Sequence, residues 1–193
     1  MKIFTLSRKK IVLSTVVTLV AATVLTSCMT GAMQVNPTYA TRSSRQVSGE
    51  IAFGEVSHPQ PKYESPSSMG AVELPGPVDY FCADSLKQEL EAYGFTIDEN
   101  APLTVKARVI QADTVWRQQG RAGVFKSTFA LEFVLTDQSG GDVYRQIHQG
   151  SASHSQSYGG YPASASVVDA LATAYERFLR DAKFQQVLVQ SGS

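Results

Sequence analysis

The chain has two cysteines, three histidines and one tryptophan in 193 residues. Histidines so few leave little for a metal centre, which needs three or four ligands in sensible geometry. His148 and His154 stand six apart instead of at the helical four of a zinc pair, and His58 lies in a proline loop. The residues therefore call for no metal and no cofactor. Charge is scarce too, at 18%, with no surplus of base to attract nucleic acid. Long hydrophobic runs are missing. The apolar stretch Ile11 to Val24 would rise about 21 Å as a helix, short of the roughly 30 Å hydrocarbon core, which argues against a lone spanning helix. Ser151, Ser153, Ser155 and Ser157 alternate after Gly150, yet none lies in Gly-x-Ser-x-Gly, so a hydrolase elbow is unsupported. Gly120 and Gly123 precede a strand where a phosphate loop would lead into a helix.

What is present begins at the amino terminus. Lys2, Arg8, Lys9 and Lys10 precede the apolar run, and a small residue stands before Cys28, the layout of a secretory signal. Leu25-Thr26-Ser27-Cys28 resembles the lipobox of bacterial lipoproteins. That resemblance implies that residues 1–27 are removed as a signal peptide and that Cys28 is acylated on sulfur and on its new amino terminus. Acyl chains contribute about 0.8 kcal/mol per buried methylene, and two or more give stable attachment. Met29, not aspartate, follows Cys28. By likeness to enterobacterial lipoproteins this implies the inner leaflet of the outer membrane, with the body facing the periplasm. Loss of residues 1–27 leaves 166 of the 193, enough for one domain with a proper core. Four bases leave with them, so the balance moves from 17 against 17 to 13 against 17, a net charge of −4. With Cys28 acylated, Cys82 is the only thiol and no intramolecular disulfide can form. Cys82 lies among apolar residues of a helix and reads as buried and inert.

Residues 28–49 are polar and aperiodic, and read as a lipidated tether. A single domain follows over 50–188, with a tail at 189–193. Ile51 to Val56 reads as a first strand. Pro59, Pro61, Pro66, Pro75 and Pro77 make 57–77 a long loop. Cys82, Leu86 and Leu90 recur every four residues in a helix from Asp79, its expected cap, to Tyr93, and Gly94 ends it. The period then changes to two. Leu103, Val105, Ala107 and Val109 share one face; Phe125, Ser127, Phe129, Leu131, Phe133 and Leu135 share another. Gln138-Ser139-Gly140-Gly141 turns the chain into a third strand, Val143 to Gln149. A last helix is expected from Ser166 as cap, with Asp169 three residues on and an apolar stripe of Leu171, Ala174, Tyr175, Phe178 and Leu179. The order β-α-β-β-β-α predicts an α+β two-layer sandwich, a mostly antiparallel sheet covered by two helices.

The body resembles the YajG family of proteobacterial lipoproteins over roughly residues 50 to 188. The matching stretches are Asp84-Ser85-Leu86-Lys87-Gln88-Glu89-Leu90, Tyr93-Gly94-Phe95, Leu103-Thr104-Val105, Asp137-Gln138-Ser139-Gly140-Gly141 and Leu179-Arg180-Asp181-Ala182-Lys183-Phe184. The family implies little chemistry. The same element order is similar to the plug subunit of the lipopolysaccharide translocon and to the auxiliary lipoprotein of lipid-transport complexes, which imply binding instead of catalysis.

Charge supplies the one remaining signal. Lys106, Arg108, Arg117, Arg121 and Lys126 fall in one hairpin against Asp113, with Trp116 beside its tip. Arginine and an aromatic together are favoured at contact sites. Trp116, Arg117, Arg121 and Lys126 are therefore the expected partner-binding residues, and Cys28 the lipidation site. Partners of fitting charge are an envelope protein, lipopolysaccharide or peptidoglycan, besides the membrane itself; nucleic acid is not among them. The expected role is non-enzymatic binding or assembly in the cell envelope. A structural tether without a ligand is the alternative, and an envelope enzyme would need His148, His154 and Asp142 to converge.

Overall fold

The structure, a computed structural model, describes residues 33–34, 38–44, 46–58, 72–73, 77–119, 122–155 and 162–192. The chain divides into two units, Met1–Ala32 and Met33–Ser193. Cys28 and the signal, most of the proline loop, and Arg121 lie outside the described residues.

Strands β2 (Gly49–Ser57), β4 (Phe95–Ile97), β5 (Leu103–Gln119), β6 (Ala122–Asp137) and β7 (Asp142–Ser155) form a sheet of order β4-β2-β5-β6-β7. Two short strands, β1 (Met33–Gln34) and β3 (Val72–Glu73), pair in parallel apart from it. The long strands alternate as their sequences require. Val105, Val109, Phe129, Leu131, Phe133 and Leu135 are fully buried on one face of the sheet. Helices α1 (Val78–Tyr93), α2 (Pro162–Leu179) and α3 (Ala182–Ser191) pack on that face with Leu86, Leu90, Leu171, Tyr175, Phe178 and Phe184. The result is an α+β sandwich with an open sheet, and one shared core holds its two layers together. Each large apolar side chain so buried contributes about 1.5–3 kcal/mol.

Several local expectations are corrected. The sheet is mostly antiparallel, as expected, through the long β5–β6 and β6–β7 ladders, but the short parallel pairings of β2 with β4 and β5 were not foreseen. The strand β4 was not foreseen, because three residues show no period. Three helices cover the sheet, not two; Asp181 caps α3 by accepting from the N–H groups of Lys183 and Phe184. Pro77, extended at φ −62° and ψ 143°, is the residue before α1, and Asp79 accepts only from the Tyr80 N–H at 2.9 Å. Ser166 is no cap either. The helix starts a turn earlier at Pro162, where a missing N–H costs nothing. The Ser166 hydroxyl is buried instead, donating to the Ala163 carbonyl and meeting Ser127 Oγ, each at 2.8 Å. Strand β7 runs on through the alternating serines to Ser155.

Other expectations hold. Gly94 ends α1 at φ 121°, its N–H bonded to the Leu90 and Glu91 carbonyls at 3.1 Å. Asp137 closes the β6–β7 turn around Gly140. Cys82 is fully buried, and burial pushes its thiol up to about 12. Among the described residues, no helix is long and apolar enough to cross a membrane.

Candidate functional site

A break in strand alternation decides what the uncovered face presents. Between Val109 and Gln111 the β5–β6 register shifts by one residue, leaving Ile110 as the extra residue of a bulge. Before the bulge, odd-numbered residues of β5 face the helices; after it, Ala112, Thr114 and Trp116 pair with Phe129, Ser127 and Phe125 and take over that side. Trp116 therefore packs with Phe125 and Ala163 in a small cluster of its own. Arg117 turns to the open face, where it joins Lys106, Arg108 and Lys126. Arg117 lies opposite Val124 and Lys126 opposite Val115, which makes the two bases diagonal neighbours. The structure thus brings Arg117 and Lys126 together and sends Trp116 the other way.

The four described hairpin bases do not form one patch. Lys106 and Arg108 lie roughly 30 Å down the strand from Arg117. There, Glu132 accepts from Arg108 at 3.3 Å and from Arg145 at 3.1 Å, and Asp142 accepts from Arg145 at 2.5 Å. Asp142 and then Glu132 hold the Arg145 guanidinium above its ordinary value. With Glu55, Ser57, Lys106 and Thr136 they line a shallow depression of about 370 Å³. Its charges largely cancel. Sequence reading missed this group because Glu132 sits on β6 while Asp142 and Arg145 sit on β7; cross-strand register brings Glu132 to them. Ile110 and Ile147, the latter 57% exposed, add apolar surface to the same face.

The helix side holds His148 and His154, each in its own setting. His148 Nε2 meets the Tyr144 hydroxyl at 2.7 Å and Asp181 at 3.9 Å, and its ring packs against Phe133 and Phe178. His154 Nε2 meets Asp169 at 2.7 Å. Asp142 belongs to the opposite face with Arg145, so the three groups that an enzyme reading needed together have separate partners. Among the described residues, no three histidine, cysteine or carboxylate side chains stand together as metal ligands.

Burial lowers the His148 pKa below its ordinary 6.5. The unfolded chain then binds more protons than the folded one between the two values, so stability is fullest above about pH 6.5 and falls as the pH drops. His148→Gln keeps a partner for Tyr144 without titrating. Urea unfolding at pH 5, 6 and 7 should show a shallower slope of stability against pH than the wild type; an unchanged slope would assign the dependence elsewhere.

A second feature of the helix side was invisible in the sequence. Glu89 on α1 is only 1% exposed, and it is held by the segment read as tether. Tyr39 Oη donates to Glu89 Oε1 at 2.6 Å, and the Arg42 and Ser43 N–H groups donate at 2.8 and 3.2 Å. The Tyr39 ring meets Tyr175 edge-on at 6.0 Å. Arg42 also pairs with Asp169, and the Gln46 and Val47 N–H groups bond the Tyr93 carbonyl. Residues 38–44 and 46–48 are thus seated on α1 and α2.

No family model matches the chain, and no curated protein matches it. Among solved structures, it is similar to a Xanthomonas campestris protein of the family DUF330, at 14% identity and a TM-score of 0.58, over 83% of this chain and 96% of that one. A minor lipoprotein from Acinetobacter baumannii aligns at 12% identity and a TM-score of 0.40, over 72% and 94%. The lipoprotein GNA1162 from Neisseria meningitidis aligns at 10% and 0.31, over 70% and 100%. At these identities, the likeness to the Xanthomonas protein shows a shared fold and nothing of activity.

Proposed function

We propose that this chain is a YajG-like lipoprotein of the bacterial envelope, held through Cys28 on the periplasmic side of the outer membrane, that binds an envelope component without catalysing a reaction. The anchor rests on the lipobox resemblance. The binding role rests on one observation: among the described residues the helices cover a single face of the sheet, and the other carries Arg117 and Lys126 as adjacent exposed bases on a long hairpin. A sheet face left uncovered beside long basic side chains suits an anionic partner. Lipopolysaccharide phosphates, peptidoglycan carboxylates and an acidic protein face have that chemistry.

The test is a photoreactive residue placed at Lys126 in intact cells, with adducts identified by mass spectrometry. One dominant adduct that disappears in Arg117→Glu is the expected outcome, with at least a tenfold loss of capture. A diffuse smear unaffected by charge reversal would favour a tether without a specific ligand.

A further inference from the structure

We propose that the described residues 38–44 and 46–48 form a releasable strap whose grip on the buried Glu89 carboxylate sets how far the domain can reach from its anchor. The proposal rests on the reading of Cys28 as the anchored residue. Among the described residues, every donor to Glu89 comes from this segment: the Tyr39 hydroxyl and the Arg42 and Ser43 N–H groups. A carboxylate buried on a helix is costly unless it is fully hydrogen-bonded, so Glu89 is built to hold the strap. The hold is also narrow. Among its described residues Tyr39 is the one buried side chain, Val47 is partly buried against the core, and the Arg42–Asp169 pair lies partly in water. When the strap lifts, Glu89 and Tyr39 are hydrated together, so release leaves no charge stranded in the core. One ring, the Val47 side chain and a few polar contacts are exposed, the profile of a local opening and not of global unfolding.

Release changes the geometry of attachment. Docked, the chain from Cys28 to Tyr39 spans at most about 40 Å; freed to Gly49, it spans about 70–75 Å. Besides the strap, among the described residues ahead of β2, only the two-residue β1–β3 pairing ties the lead to the domain, and strands so short do not persist alone. A docked strap shortens the greatest distance at which the domain can stand from Cys28; a released strap lengthens it.

The experiment uses the full lipidated protein in vesicles of phosphatidylethanolamine and phosphatidylglycerol. Trypsin should cut after Arg42 slowly in the wild type and about tenfold faster in Glu89→Gln and Tyr39→Phe, with the domain still unfolding in one transition whose midpoint drops by no more than the tenfold weaker docking accounts for. Asp169→Asn, at a partly exposed position, serves if the Glu89 variant fails to fold, and should raise the rate about threefold. Equal cutting in wild type and variants overturns the strap. Reach is read by energy transfer from a dye on Ser139→Cys to an acceptor lipid; buried Cys82 stays unlabelled. Transfer should fall in Glu89→Gln, and unchanged transfer overturns the proposal. Wild-type protein that does not join the vesicles overturns the anchor and the change of reach with it, while the trypsin rates still decide the strap.

Discussion

Gly150→Ala is expected to destabilise the fold by about 3 kcal/mol, at or above the upper end of ordinary overpacking. Gly150 lies on β7 where α2 crosses it, and the helix backbone comes too close for any side chain. A Cβ there would stand 1.9 Å from the Ala170 carbonyl oxygen, 2.6 Å from the Ala174 nitrogen and 3.0 Å from Thr173 Cβ. Two of these are backbone atoms, so no rotamer change relieves the overlap. The whole of α2 would have to withdraw, loosening Leu171, Tyr175 and Phe178 from the sheet together. Against a total stability of about 5–15 kcal/mol this is a large fraction. Gly141→Ala is the control. Its nearest neighbours are side-chain atoms at 3.5 Å, and the expected change is within about 0.5 kcal/mol. Urea denaturation compares the two, and a Gly150 variant as stable as the control would mean that α2 is not seated as described.

Phe178→Ala should cost about 3–5 kcal/mol, because a large cavity opens where three elements meet. The Phe178 ring is fully buried. It lies flat on Phe133 of β6, with centroids 4.2 Å apart and planes at 2°, and within 4.5 Å of Phe184 on α3. Tyr144 and His148 of β7 close the cluster. Truncation removes the floor on which α3 rests, since that helix buries only Phe184 and Leu188. Hydrogen exchange should therefore quicken in α3 beyond the global loss of stability. If α3 amides exchange no faster than those of β6, the Asp181 cap alone is enough to hold the helix.

Much of this fold could be read without coordinates. The alternation from Phe125 to Leu135 places even Ser127 on the buried side, and the structure leaves it there, bonded to Thr114 and Ser166 at 2.8 Å. The four-residue repeat of Cys82, Leu86 and Leu90, the stop at Gly94 and the turn at Gly140 are equally local. Each follows from backbone preference and side-chain period, which neighbouring residues express by themselves. The candidate site was less legible. Continuing the odd parity of Leu103 to Val109 would turn Arg117 inward and Trp116 outward; the bulge at Ile110 reverses both. Nothing in the residues around Ile110 announces that bulge.

The sequence by itself determined the period of α1 and α2 and of the strands over Leu103–Val109 and Phe125–Leu135, the α+β class, the burial of Cys82 and the supply of bases to the β5–β6 hairpin. Tertiary structure alone decided the parallel pairing of β2, the face on which Arg117 emerges, the ion-paired cluster of Glu132, Asp142 and Arg145, the close approach at Gly150 and the grip of Glu89 on Tyr39. The division has a physical cause. Period and turn chemistry are properties of adjacent residues, whereas register, close approach and a buried carboxylate's choice of donors depend on groups separated along the chain, Tyr39 and Glu89 by fifty residues, which only packing brings into contact.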